Sequence, residues 1–189
     1  LNVAGNLNAA VTSLSSVVNL ASSYGPDGAG STVFGLSIVG DSFSDLHTSQ
    51  GNHPITLIQD PNHPDTVTGV YTYTDATGDH TATAFTVVIN ADGKLTVTQD
   101  VALQHPDGTT PDTGETVDLS GHLNAVVTVT DADGDYTSQS VAIGNHVLFQ
   151  DGGPSITAFT ASGVSVETGD NNLNVAGNLN AAVTSLSSV

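Results

Sequence analysis

From Ser31 onward apolar and polar residues alternate with a period of two: Phe34, Leu36 and Ile38 are separated by Gly35 and Ser37. Successive strand side chains point to opposite faces, so this rhythm predicts a half-buried strand. Comparable patterns predict strands at residues 55–58, 67–73, 84–89, 95–101, 123–129, 138–143 and 146–149. Turn formers lie between them, among them Asn90-Ala91-Asp92-Gly93 and Pro106-Asp107-Gly108. Many short strands with a turn about every ten residues predict an all-β, Ig-like β-sandwich. The alternative is two smaller interleaved sandwiches. Residues 107–118 (DGTTPDTGETVD) carry no apolar rhythm and read as a long surface loop.

The N-terminus follows a different period. Leu7, Ala10, Val11, Leu14, Val17, Val18 and Ala21 have the spacing of an amphipathic helix over roughly 7–22. Asn6 is its candidate cap, and Tyr24-Gly25-Pro26-Asp27-Gly28 stops it. The segment is rich in Ser, Thr and Val, weak helix formers, so two short strands are the alternative. Its first seventeen residues, LNVAGNLNAAVTSLSSV, recur unchanged at 173–189, an offset of 172 residues. Solenoid and propeller repeats have periods of about 20 to 50 residues, whereas this period is the size of a whole domain. The chain therefore reads as part of a tandem array of domains. Residues 1–22 are expected to form a helical inter-repeat segment and 23–154 the β-sandwich body. Residues 155–189 are expected to hold lead-in strands, at 156–159 and 164–166, and the start of the next repeat.

Charge sharpens this picture. Nineteen acidic residues stand against one basic residue, Lys94, for a net charge of −18. Such a surface repels nucleic acid and anionic membranes, and no apolar run approaches the roughly 18 residues of a membrane span. It also repels itself. Solubility or adaptation to high salt would account for that composition. A divalent cation accounts for it better where the acids cluster, because hard oxygen ligands suit Ca²⁺. The absence of cysteine excludes disulfides and thiolate metal sites.

The acids do cluster. Two segments resemble one another: residues 73–81 (YTDATGDHT) and 129–137 (VTDADGDYT), each between alternating strands and so each at a hairpin tip. Asp131, Asp133 and Asp135 place three carboxylates around Gly134. Their mutual repulsion in water becomes affinity when Ca²⁺ binds. Asp75 and Asp79 form a weaker version without the middle carboxylate. Asp151, Asp27 and the acids of 107–118 are candidates to complete a site. The spacing is not that of an EF-hand, whose sixth and twelfth positions would fall on Tyr136 and Ala142. A plain polar turn is the competing reading for both tips.

Enzymatic chemistry has little support. Seven histidines are scattered, and His53, His63 and His105 each precede proline. No G-x-S-x-G elbow or HExxH motif occurs. A glycosidase or carbohydrate-binding module would want an aromatic platform, and the chain has no Trp and four Tyr. The expectation is a protein that is not an enzyme, with a calcium-dependent carbohydrate- or surface-binding module as the alternative.

The blocks SSYGPDGAGS, FTVVINADGKLTVTQ, ALQHPDGTTPDTGETVDLSGHLNAVVTVTDADGDYTSQSVAI and FQDGGPSI occur in order across most of 17–156. In this the chain resembles the acidic tandem extender repeats of giant RTX adhesins exported by type I secretion. The resemblance implies a calcium-rigidified sandwich on the bacterial cell surface, monomeric within an extended array, whose partners are neighbouring repeats of the same polypeptide. It would transfer a metal role to Asp131, Asp133 and Asp135, with Asp151 next.

Overall fold

The alternation that begins at Ser31 becomes β1 (Ala29–Ile38), the first of ten strands in a computed structural model that describes residues 20, 22–106 and 115–150. There follow β2 (Phe43–His47), β3 (Pro54–Ile58), β4 (Thr66–Asp75), β5 (Gly78–Ile89) and β6 (Leu95–Gln99). After them come β7 (Thr116–Asp118), β8 (Leu123–Asp131), β9 (Tyr136–Ala142) and β10 (Leu148–Gln150). The strands β2 to β6 form a five-stranded antiparallel meander in chain order. The strand β1 leaves its sequence neighbours and pairs with β8 in a second sheet of order β1-β8-β9. A ribbon of β7 and β10 completes the all-β sandwich.

The predicted alternation is what fills the core. Leu36, Leu123 and Ala125 from the second sheet belong to one buried cluster with Ile55, Leu57, Val67, Val87, Ile89 and Leu95 from the meander. This is a single core shared by all the sheets, so the described residues make one sandwich and not two. At its centre Phe85 lies over Gly69, where an added Cβ would stand 2.5 Å from the ring. The Phe85 ring packs on Phe149 of β10 with centroids 4.8 Å apart, tying the ribbon to the meander. Backbone bonds seat β1 as well: Leu36 N–H donates to Pro64 C=O at 2.7 Å. The Gln59 side-chain amide donates to both Leu36 C=O and Pro64 C=O.

Three expectations need correction. First, Thr116–Asp118, placed in the surface loop, is strand β7; its short apolar content, Val117, carries too little pattern to be read alone. Second, β2 was not expected. Ser44 is fully buried and donates its hydroxyl to Ile55 C=O at 2.8 Å, so a serine occupies a core position. Third, the expected strand at 146–149 splits into a 3-10 turn, Gly144–His146, and β10. The short helix expected over roughly 7–22 lies outside the described residues except at Leu20 and Ser22, which are non-helical. The chain divides into two units, Leu1–Gly153 and Pro154–Val189, and the described residues all lie in the first.

Candidate metal centre

The β8–β9 hairpin closes on Asp131, whose N–H donates to Asp135 C=O at 2.9 Å. Gly134 takes φ 101°, which a side chain would disfavour, and completes the turn. Asp131 Oδ1 then accepts the N–H groups of Gly134 at 3.1 Å and Asp135 at 2.9 Å. A hydrogen bond with the Asp133 side chain, followed by these backbone donors, holds the Asp131 carboxyl below the usual carboxylate range, against a smaller opposing effect of desolvation.

The third member comes from far away in the chain. Asp27 sits in the turn that leads into β1, and the β1–β8 pairing carries that turn to the β8–β9 tip. The register shifts between Ala29 and Ser31, leaving Gly30 as the extra residue of a bulge. A Cβ on Gly30 would collide with the carbonyl oxygens of Thr130 and Asp131, so only glycine lets the strand ends come this close. Gly28, at φ 95°, accepts the Ala132 N–H at 3.2 Å and fixes the turn over the tip.

Carboxylate oxygens of Asp27, Asp131 and Asp133 consequently lie within 4.8 Å of one another. Ca–O distances of about 2.3–2.6 Å allow any two oxygens on one ion to stand at most about 5 Å apart, so the three could bind one Ca²⁺. All the donors are hard oxygens, as Ca²⁺ prefers. Asp27 and Asp133 are exposed and Asp131 is half-buried, leaving room for water in the remaining positions. Lys94, the chain's one Lys or Arg, is engaged elsewhere, with Asp92 at 2.7 Å.

Of the residues expected from the sequence, the structure brings Asp131 and Asp133 together with Asp27, one of the candidates to complete a site. The Asp135 side chain is outside the group; its backbone serves the turn. Asp75 and Asp79 occupy the other tip, where local donors take them up. Asp75 Oδ1 accepts the Thr77 hydroxyl at 2.6 Å and N–H at 2.7 Å, with His80 Nε2 at 3.1 Å. The Thr77 donors chiefly hold the Asp75 carboxyl low. Asp79 Oδ1 accepts the Thr74 hydroxyl at 2.6 Å. Asp151 and residues 107–114 lie outside the described residues. The signal for Asp27 was the Gly-Pro-Asp-Gly turn, but nothing in the sequence paired it with a tip more than a hundred residues on.

An aromatic row also appears on the meander: His53, Tyr71, Tyr73 and His80, with neighbouring centroids 5.8, 5.9 and 5.3 Å apart. Its rings pack on one another, extending the core outward at Tyr71.

A family model described as "Domain of unknown function (DUF5801)" matches residues 3–144. No curated protein and no solved structure matches the chain.

Proposed function

The chain belongs to the DUF5801 family, and on that premise we propose that it is a calcium-stabilised, non-enzymatic extender repeat of a secreted bacterial surface adhesin. One observation carries the reading: Asp27, at the mouth of β1, meets Asp131 and Asp133 in an all-carboxylate group. An ion there would join the segment entering the domain to the far end of its longest-range strand pair. The duplicated seventeen residues support the array, and the net charge of −18 supports a dependence on cations.

The mechanism is linkage. At low cytosolic Ca²⁺ the clustered carboxylates oppose folding and leave the chain competent for export. At millimolar external Ca²⁺ a site of micromolar affinity, saturated about 1,000-fold, adds roughly 4 kcal/mol to stability. For a domain of this size that corresponds to a rise in Tm on the order of 10 °C. The test is a melting curve in millimolar CaCl₂ against one in chelator, with NaCl matched for ionic strength. An unchanged Tm in chelator sinks the calcium reading. The same stabilisation by NaCl alone would leave a salt-adapted domain without a specific metal.

A further inference from the structure

Among the described residues the strand β9 (Tyr136–Ala142, YTSQSVA) pairs with β8 along one side only, and all seven of its residues are exposed. Tyr136 is 75% and Val141 49% exposed. Val141 lies in the same cross-strand row as the buried Leu36 and Ala125, so the core-facing side of the sheet continues onto β9, where Val141 stands exposed. Exposed edges are normally blunted by charge, proline, bulges or extreme shortness. In this strand there is no charged residue and no proline, and its register with β8 is unbroken.

Hydrogen-bond phase shows what the edge offers. Asp131 N–H donates to Asp135 C=O at 2.9 Å, and Ile143 N–H to Leu123 C=O at 3.0 Å. With the intervening register, odd-numbered residues direct their backbone groups to β8. Those of Tyr136, Ser138, Ser140 and Ala142 point to the open side. That is a row of unpaired donors and acceptors in an otherwise repelling, acidic molecule.

The chain also contains a segment suited to that row. Residues 155–166, SITAFTASGVSV, include no charged side chain and alternate apolar with polar at Ile156-Thr157 and Val164-Ser165-Val166. We propose that β9 is the docking edge for the 155–166 segment of a neighbouring repeat, which adds to the β1–β8–β9 sheet as a fourth strand. The occupant is the copy carried by a neighbouring repeat: residues 173–189 repeat residues 1–17, so in an array each 155–166 segment leads directly into the start of the next repeat. Backbone hydrogen bonds would supply the affinity, and apolar side chains beside Val141 the facing preference. This contact goes beyond the calcium reading and stands without it.

The experiment adds a labelled peptide of residues 154–168 to the 189-residue chain and follows fluorescence anisotropy. Saturable binding is expected, weakened at least tenfold by Ser140→Pro. That proline removes an N–H that β8 does not use, so the variant should keep a wild-type melting curve. Should it fail to fold, Ser140→Lys, which puts a charge on the edge, decides in its place. A peptide carrying Val164→Pro and Val166→Pro should not bind. Absent binding, or binding indifferent to the residue 140 variants, overturns the proposal. Amide exchange at Ser138, Ser140 and Ala142 should be fast in the free monomer and slow with peptide. Protection in the free monomer would place the chain's own segment there and overturn the assignment to a neighbour.

Discussion

The two hairpin tips, TDATGDHT at 74–81 and TDADGDYT at 130–137, differ at two positions in eight and yet close differently. In β4–β5 the first aspartate, Asp75, stands opposite Gly78, leaving a two-residue turn. In β8–β9 the equivalent Asp131 is bonded to Asp135, one residue further on. A slip of one residue changes which side chains meet across the strands. His80 therefore stands opposite Tyr73 and stacks on it, whereas Tyr136 stands opposite Thr130 in solvent. The middle residue accounts for the divergence. Thr77 gives Asp75 a hydroxyl and an N–H donor. Asp133 puts a second carboxyl group where Thr77 has its hydroxyl, and Asp131 Oδ1 takes the N–H groups of Gly134 and Asp135. One tip satisfies its first carboxylate with local donors, and the other gathers the carboxylates of Asp27, Asp131 and Asp133.

The largest effect on this contrast should come from Gly30→Val. It forces a side chain into the Thr130 and Asp131 carbonyls, so a loss of about 3 kcal/mol in chemical denaturation is expected, together with loss of calcium binding. The β4–β5 tip should keep its amide-exchange protection until global unfolding. Asp131→Asn should come next. Calorimetric Ca²⁺ affinity should fall tenfold or more, about 1.4 kcal/mol, with smaller losses for Asp27→Asn and Asp133→Asn. Asp75→Asn and Asp79→Asn should leave that affinity unchanged; equal losses at both tips would erase the distinction drawn here.

A swap tests the middle position directly. Thr77→Asp removes both the hydroxyl donor and the match to Asp75, and about 1 kcal/mol of stability should be lost. No calcium affinity should appear, because no third strand delivers a carboxylate to that tip. Acid gives the smallest and most graded effect. Asp75 and Asp131 both titrate below the ordinary Asp value of about 3.9 in the folded chain. Their contributions are thus present above that value and lost as pH falls through the lower folded values. Protons also compete with Ca²⁺ for carboxylate oxygens, so the difference in Tm with and without calcium should shrink as pH falls through and below the ordinary Asp value. The acid limb seen without calcium should be shallower in Asp75→Asn.

Much of the fold was legible because its core strands alternate. Ile55 and Leu57, Val87 and Ile89, and Leu123 and Ala125 each announce a buried face two residues at a time. The strand β2 was not legible, since Ser44 fills a core position by hydrogen bonding to Ile55, which no hydropathy pattern encodes. Nor was β7, where Val117 stands between Thr116 and Asp118. At the site, the glycine-centred run of aspartates marked the tip where Asp131 and Asp133 come together with Asp27. The run does not show that the Asp135 side chain stands apart from that group while its backbone N–H serves the turn. The resemblance between the tips likewise hid their difference in register, which depends on what each middle side chain can donate.

The sequence by itself determined the period of the strands, the placing of most turns, the acidity and the recurrence of the first seventeen residues at 173–189. These are local or compositional properties, carried by residues close together in the chain or by sums over all of it. Only the tertiary structure decided that Asp27 joins Asp131 and Asp133, that Gly30 must be bare, and that β9 has an open edge. Each depends on the long-range pairing of β1 with β8, whose partners are chosen by burial against a shared core and not by any signal between the two segments.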